Sequence, residues 1–205
     1  MYIPNVNRAT DREAVIAFMR RYSFATLVTA RDGLPVATHL PFAISLQDEA
    51  IRLKSHVAKA NDQWRDLEAG RVLVIFSEPH AYISTRHYDH QTNVPTWNYV
   101  SVHAYGKGRL LTQPEQALQV VDAMIGTYEA DYRQQWEGLP EAYRHKMLNG
   151  IVAFEVRVTE LQAKEKLSQN RSAAEQGRII DALASSDDSG ERSIAEYMQR
   201  SRRKG

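Results

Sequence analysis

Apolar positions change period several times along this chain, and each change marks an element. Val15, Phe18, Met19 and Tyr22 fall at i, i+3, i+4 and i+7 behind the capping-box sequence Thr10-Asp11-Arg12-Glu13, which predicts a first amphipathic helix. Residues 24–30, rich in Thr, Val and Leu, read as a strand; Asp32-Gly33 is a tight-turn signal and Pro35 opens the next strand. Residues 36–46 return, Gln47-Asp48-Glu49 turns the chain again, and residues 51–57 form a third strand. These three are expected to pair as an antiparallel meander. Residues 59–68 read as a short helix closed by Gly70. Val72-Leu73-Val74-Ile75-Phe76 is apolar without alternation, as in a strand buried on both faces, and residues 81–84 read as a separate strand after Pro79.

Residues 85–95 are polar, aromatic and irregular, the pattern of a long functional loop. A long strand follows over 97–111, interrupted by Gly106 and Gly108, which points to a bulge or to backbone approaching closely. Thr112-Gln113-Pro114-Glu115 reads as a second capping box, and Ala117, Leu118, Val121, Met124, Ile125 and Tyr128 keep helical spacing behind it. A short helix is expected from Pro140 to about Leu148, then an alternating strand over 152–158, a polar and basic stretch after Leu161, and a helix over 172–183. Residues 185–190 read as a linker, Ile194, Tyr197 and Met198 as a last short helix, and the basic residues 200–204 as a fraying end. Six or seven strands joined mostly by hairpins, with helices between and after them, predict a mainly β or α+β fold of antiparallel barrel type. Regular strand–helix alternation is missing, which argues against a doubly wound parallel sheet.

Composition narrows the function classes. There are no cysteines, so disulfides, zinc thiolate sites and cysteine nucleophiles are excluded. The 26 basic and 25 acidic residues leave a formal net charge of +1, which by itself does not indicate nucleic acid. No apolar run approaches a membrane span and the N-terminus has no signal-peptide pattern, so a soluble cytoplasmic protein is expected.

Candidate chemistry sits where polar residues interrupt strands. Thr38 and His39 break one strand, and Lys54, Ser55 and His56 close another just before Lys59. Hydroxyls, imidazoles and an ammonium at a strand end beside a helix start suit an anion such as a phosphate. Lys59 near a helix N-terminus is unfavourable unless an anion compensates it. The segments Val94-Pro95-Thr96-Trp97-Asn98-Tyr99 and Lys166-Leu167-Ser168-Gln169-Asn170-Arg171 share this mixed character, and all three are expected around one ligand. Trp97 follows a proline at a strand start, where a ring can stack on a planar ligand, or it is a core aromatic. His39 and His56, on strands expected to be neighbours, either face that ligand or satisfy backbone groups. His87-Tyr88-Asp89-His90 matches no strong metal spacing, and no metal site is expected. Ser84 and Ser168 lack a nucleophile-elbow context, and no Rossmann or Walker-type glycine loop occurs. The basic tail, with Arg200, Arg202, Arg203 and Lys204, is not accompanied by a visible recognition helix.

Taken together with the opening Met1-Tyr2-Ile3-Pro4, the motifs Ala37-Thr38-His39-Leu40-Pro41, Ser55-His56-Val57-Ala58-Lys59-Ala60-Asn61, Val94–Tyr99 and Lys166–Arg171 closely resemble the PaiB-like proteins, described as FMN-binding negative transcriptional regulators. The similarity runs in order from Met1 to about Met198. It implies an antiparallel split β-barrel with peripheral helices, related in fold to pyridoxamine-phosphate oxidases and flavin reductases. It also implies a homodimer with FMN at the interface. On this resemblance residues 1–205 form a single FMN-binding domain with a C-terminal helical extension from about residue 172. The phosphate would be held by Ser55, His56, Lys59 and Asn61 with Thr38 or His39. The isoalloxazine would lie against the strand of Thr38, His39, Leu40 and Pro41, near Ser84. Trp97, Asn98, Gln169, Asn170 and Arg171 would approach from the partner subunit or close over the ring. Lys59 stands where arginine is more frequent in such proteins, which keeps the charge and loses bidentate geometry. The resemblance also departs at Thr85-Arg86-His87. It implies a regulator with flavin redox capability, with DNA as a partner; the alternatives are an NAD(P)H:FMN reductase-like oxidoreductase with no DNA-binding role, and a barrel that binds another phosphate or haem through His39 and His56.

Overall fold

The structure is a computed structural model and describes residues 1–204. Its strands are β1 (Phe24–Arg31), β2 (Leu34–Pro41), β3 (Ala43–Gln47), β4 (Ala50–Ala58), β5 (Arg71–Ile83), β6 (Thr96–Leu110) and β7 (Ile151–Lys166). Its helices are α1 (Arg12–Arg21), α2 (Pro114–Tyr128), α3 (Tyr132–Gly138), α4 (Glu141–Leu148), α5 (Ala173–Ala184) and α6 (Ser189–Lys204). The strands form one antiparallel sheet in the order β2-β1-β5-β6-β7-β4-β3. The chain divides into two units. The larger comprises Ile16–Phe76 and His103–Leu161; the smaller comprises Met1–Val15, Ser77–Val102 and the chain from Gln162 on.

In the larger unit the two ends of the strand order, β2 and β3, are joined by a single residue, Phe42. A joint this short leaves buried backbone groups that need partners. The Phe42 amide donates to the Ser23 carbonyl at 2.9 Å. The Pro41 carbonyl accepts from the Ser55 hydroxyl at 2.7 Å, and the Phe42 carbonyl accepts from the Tyr128 hydroxyl at 3.4 Å. Proline at 41 brings no amide to satisfy. The Phe42 ring is fully buried, with the Phe76 and Phe154 rings 6.2 Å and 6.3 Å away. On the other side α2 lays Val120 and Met124 against Ala43, Leu111 and Ala153.

The glycines of β6 serve close approach, as their placement in a strand suggested. A Cβ at Gly106 would lie 2.3 Å from the Arg157 carbonyl oxygen, and one at Gly108 would lie 2.4 Å from that of Leu67.

Several expectations are corrected. β2 pairs with β1 and β4 pairs with β3 and β7, so the first strands are not a meander and His39 and His56 are not on paired strands. Residues 36–46 break at Phe42 because the chain there leaves one end of the sheet for the other. The expected helix over 59–68 is a 3-10 helix over Asp62–Asp66, capped by the Asn61 side chain. Residues 72–76 and 81–83 belong to one strand, β5, in which Val72, Val74 and Phe76 are buried and Leu73 and Ile75 only partly so. α2 is boxed by Gln113 and Gln116 rather than by Thr112 and Glu115. α3 was not visible as a separate pattern.

In the smaller unit β7 continues through the polar stretch after Leu161, because its polar side chains have partners. Lys164 is buried with its ammonium 5.1 Å from the Tyr99 ring and donating to the Tyr2 carbonyl at 3.3 Å. The Ala9 amide donates to the Ala163 carbonyl at 3.1 Å, so the N-terminal residues run beside this strand. α5 is closed by the capping box of Ser172 and Glu175. It buries Ile179, Ile180 and Leu183, and α6 buries Ile194, Ala195 and Met198. α6 runs through Lys204 rather than fraying from residue 200; Gly205 lies outside the described residues. Among the described residues no helix is long and apolar enough to cross a membrane.

Removing the Ser55 hydroxyl leaves the Pro41 carbonyl without a partner. Ser55→Ala is therefore expected to cost about 1–3 kcal/mol in urea unfolding; an unchanged midpoint would show that the joint does not depend on this bond.

Candidate functional site

Strand alternation sorts the candidates of the larger unit before any contact is considered. On β4, Ile51, Leu53, Ser55 and Val57 are buried, while Lys54 and His56 are half-buried on the other face. Ser55 is therefore inside, 0% exposed. On β2, Thr38 is half-buried and His39 is exposed. Leu40 is buried and Pro41 half-buried at the joint. The His39 ring lies nearly parallel to that of Phe24, with centroids 6.4 Å apart.

Thr38 and Asn61 are brought together directly. The Asn61 amide group donates to the Thr38 hydroxyl at 3.1 Å, and its oxygen accepts from the Gln63 amide at 3.1 Å. Gln63, buried, donates in turn to the Val36 carbonyl at 3.0 Å and the Thr29 hydroxyl at 3.2 Å. This network clamps the segment after β4 onto β1 and β2. Lys59 begins that segment. Its backbone amide donates to the Gly150 carbonyl at 2.9 Å and its carbonyl accepts from the Trp64 indole at 3.3 Å, while its side chain is exposed. It lines an open cavity of about 310 Å³ with Trp64, His145 and residues leading into α2; no acidic residue lines it. His56 has a buried Nδ1 with no hydrogen-bond partner, and burial lowers its pKa from 6.5, so the ring is neutral at pH 7.

In the smaller unit two of the polar motifs meet. A cleft of about 360 Å³ is lined by Val94, Pro95, Thr96 and Asn98, by Lys166, Ser168, Gln169, Asn170 and Arg171, and by Pro4, Val6 and Asn7 of the opening segment. Asn98 is fully buried; its oxygen accepts from the Ser168 hydroxyl at 3.1 Å and its nitrogen donates to the Met198 sulfur at 3.5 Å. Ser168 holds φ at +59°, a left-handed conformation uncommon for a side chain with a Cβ. Gln169 is tied at both ends, accepting from the Leu167 amide at 2.8 Å and donating to the Glu165 carbonyl. The Arg171 guanidinium lies 3.6 Å from the centre of the Tyr88 ring and donates to Asn93 at 2.7 Å. Lys166 donates to the Thr96 hydroxyl.

Trp97, next to Asn98 on β6, projects to the opposite face. It is 51% exposed and packs against Tyr82 and His80 at 5.7 Å and 5.8 Å between ring centres. Ser84 is half-buried, and its hydroxyl accepts from the Arg86 amide at 3.3 Å, opening the 3-10 helix Thr85–His87. The loop after it is held to α5. Glu175 accepts from the Asp89 amide at 3.0 Å and the Ser172 amide at 3.1 Å, and Arg178 donates to the His87 carbonyl at 2.9 Å and pairs with Asp89.

Sequence reasoning did not single out Lys166, Thr96, Tyr88 or Asn93 as site residues. Lys166 and Thr96 stood inside motifs already quoted, and their shared neutral and basic character was the available signal. Tyr88 and Asn93 lie in the stretch 85–95 read as a functional loop, but nothing in the sequence singled them out within it, since their contacts depend on the loop folding back to Arg171.

A family model described as "Putative FMN-binding domain" matches residues 1–160 of this chain. The chain is 39% identical over 202 residues, 97% of each chain, to a Bacillus subtilis (strain 168) protein named protease synthase and sporulation protein PAI 2. Among solved structures, an FAD- and haem-binding protein from Mycobacterium smegmatis superposes with a TM-score of 0.65 at 18% identity, covering 83% of this chain and 78% of that one. A flavocytochrome, Anf3 from Azotobacter vinelandii, does so with a TM-score of 0.60 at 18% identity, covering 77% and 68%. These structural likenesses bear on the fold alone, and the fold is the split β-barrel with peripheral helices that the resemblance implied. The chain belongs to the FMN-binding domain family, in its PaiB-like branch, and FMN is the cofactor this membership assigns.

The donors present fit that group. An exposed ammonium at Lys59, an unpartnered buried imidazole nitrogen at His56 and a hydroxyl clamped at Thr38 are what a phosphate and a polar ring edge require.

Hydrogen bonds from two backbone amides hold the Glu175 carboxylate below its ordinary value of 4.5. A depressed carboxylate stabilises the fold above the unfolded value and loses that contribution as pH falls through the folded one. Hydrogen exchange at the Asp89 amide is expected to accelerate as pH drops below about 4.5, after correction for intrinsic rates, and Glu175→Gln should show fast exchange already at pH 7. Equal protection in both proteins at both pH values would detach the loop from this carboxylate.

Proposed function

We propose that this chain is an FMN-dependent regulatory protein that works as a homodimer, with the flavin held between residues of the two protomers. The observation that carries the reading is the clamp in the larger unit, where Thr38, Asn61 and Gln63 fix the strand end from which Lys59 projects. Lys59 supplies the charge for the phosphate, and Thr38, His39 and His56 supply polar contacts. Ser55 supports the site from behind through its bond to Pro41. The backbone of Leu40 and Pro41 gives the ring a flat strand surface. Trp97, exposed beside Tyr82, is the aromatic that the partner protomer contributes.

Bound FMN supplies reversible electron transfer, and the residues of the chain bind and orient it. A regulatory role follows the printed name of the Bacillus subtilis relative, which ties that protein to protease synthesis and sporulation. DNA as a partner is supported by the end of α6, where Arg200, Arg202 and Arg203 are exposed. Residues 1–205 act as one functional domain in the cytoplasm, with the helices after residue 172 as its extension.

Loss of the Lys59 charge is expected to weaken FMN by about 10- to 100-fold, because a charge-assisted hydrogen bond contributes roughly 1.5–3 kcal/mol. Fluorescence titration of Lys59→Ala measures this, and an unchanged dissociation constant would return Lys59 to the solvated surface. Trp97→Ala should raise the fluorescence of bound flavin with little change in melting temperature, since half the ring is already exposed. A variant that melts early while quenching normally would make Trp97 a packing residue.

A further inference from the structure

The 26 basic and 25 acidic residues nearly cancel over the whole chain, but the fold does not spread them evenly. In the larger unit five cations gather on one face of three neighbouring strands, β6, β7 and β4. Strand alternation puts them there. Leu53 on β4 and Phe154 and Val156 on β7 are core residues, so Arg52, Lys54, Glu155 and Arg157 lie on the other face. In the ladder between these strands Arg52 stands opposite Arg157, and Lys54 opposite Glu155. Just past β6 the Leu111 amide donates to the Ala153 carbonyl at 2.9 Å, and Arg109 lies 3.6 Å from the Glu155 carboxylate. Lys107, two residues back on the same face of β6, therefore falls beside Arg157. One row across the strands is Lys107, Arg157 and Arg52, with no carboxylate in it. The next row is Arg109, Glu155 and Lys54.

Glu155 is the one acid of the two rows. It is buried and holds Arg52 at 2.9 Å and Arg109 at 3.6 Å. Among the described residues Lys54, Lys107 and Arg157 form no ion pair. Two acids at the margin are engaged elsewhere: Glu160 pairs with Arg71, and Glu68 accepts from the Leu110 amide at 2.9 Å. Like charges directly opposite each other on a sheet are destabilising, and Arg52 opposite Arg157 is such a pair. One carboxylate leaves most of the charge of five cations without an internal counter-charge, and Lys107, Arg109 and Arg157 present theirs to solvent.

Size and sign select the occupant. Strands lie about 4.8 Å apart and alternate residues along a strand about 6.8 Å apart, so the two rows span roughly 10 Å by 7 Å. A single phosphate or carboxylate cannot keep hydrogen-bond distance to cations spread that widely. A second copy of the chain docked isologously would set the rows against themselves, cation on cation. Duplex DNA presents several phosphates to such a face at once, with one charge per about 1.7 Å of its axis. We propose that this face of β4, β6 and β7 binds duplex DNA through its phosphates. Lys107, Arg157 and Lys54 are the contacting cations, and Glu155 is the positioning residue for Arg52 and Arg109. The proposal rests on the DNA partnership proposed above and adds the sheet to the end of α6 as a contact. Phosphate contacts of this kind set orientation and carry no sequence reading.

Fluorescence anisotropy titration of the purified full-length protein against a short labelled duplex of mixed sequence, between about 50 and 200 mM salt, tests it. The logarithm of the association constant is expected to fall against the logarithm of salt with a slope of about −3 or steeper. Lys107→Gln combined with Arg157→Gln should reduce that slope by about 2 and weaken binding roughly tenfold per charge removed at about 0.1 M salt. Lys107→Arg combined with Arg157→Lys should keep both slope and affinity. Both double variants should melt with the parent, since the two side chains are exposed. Unchanged slope and affinity in the glutamine variant overturn the proposal. If Arg202→Gln combined with Arg203→Gln abolishes binding in that case, the DNA partnership stands and α6 alone carries it. Displacement of the duplex by polyglutamate as readily as by unlabelled duplex at equal charge also overturns it, because the face then fits an acidic protein. A parent protein that binds no duplex at low salt removes the DNA partnership and this face together.

Discussion

A sheet has two edges, and each edge is a row of unpaired backbone groups that invites association. In the larger unit the chain steps from one end of the strand order to the other through Phe42 alone, and the rest of the unit depends on that step. It works because every polar group at the joint is satisfied by a different element: Ser23 before β1, Ser55 on β4 and Tyr128 at the end of α2. It also brings Pro41 on β2 beside β4, two strands that share no ladder. The polar residues of these two strands can therefore serve one ligand although neither strand is the other's partner.

The second constraint is the period of two along a strand. The motifs of interest place candidate residues side by side in sequence, and side-by-side strand residues face opposite ways. Thr38 and His39, Ser55 and His56, and Trp97 and Asn98 are each divided in this manner. One member of each pair is buried or clamped and the other looks outward. Each motif thus has one residue directed inward and a neighbour directed the other way. Ser55 and Asn98 are fully buried, while Lys59 and Trp97 stay exposed.

Much of this is legible in the amino-acid sequence. Helical spacing placed α1 and α2, a helix was expected over 172–183 where α5 lies, and the glycines of β6 pointed to a bulge or to close backbone approach, of which Arg157 and Leu67 show the second. Of the three segments expected around one ligand, those of Val94 and Lys166 line one cleft. Strand order was not, because hairpin signals show which strands follow one another and not that a one-residue joint at Phe42 would reorder them. The end of β7 was hidden because Lys164 and Lys166 look like solvated charges until Tyr2, Tyr99 and Thr96 are beside them. The ordered state of the loop after Ser84 was hidden for the same reason, since Glu175 and Arg171, far along the chain, hold it.

The central claim is that this barrel carries FMN, and the most direct measurement is the visible absorption spectrum of the purified protein with the mass of the chromophore it releases on denaturation. The account predicts a flavin spectrum, an extracted mass equal to that of FMN, and about one flavin per chain. A colourless protein that also fails to take up added FMN would contradict it, and the roles given to Thr38, His56, Lys59 and Trp97 would fall with it.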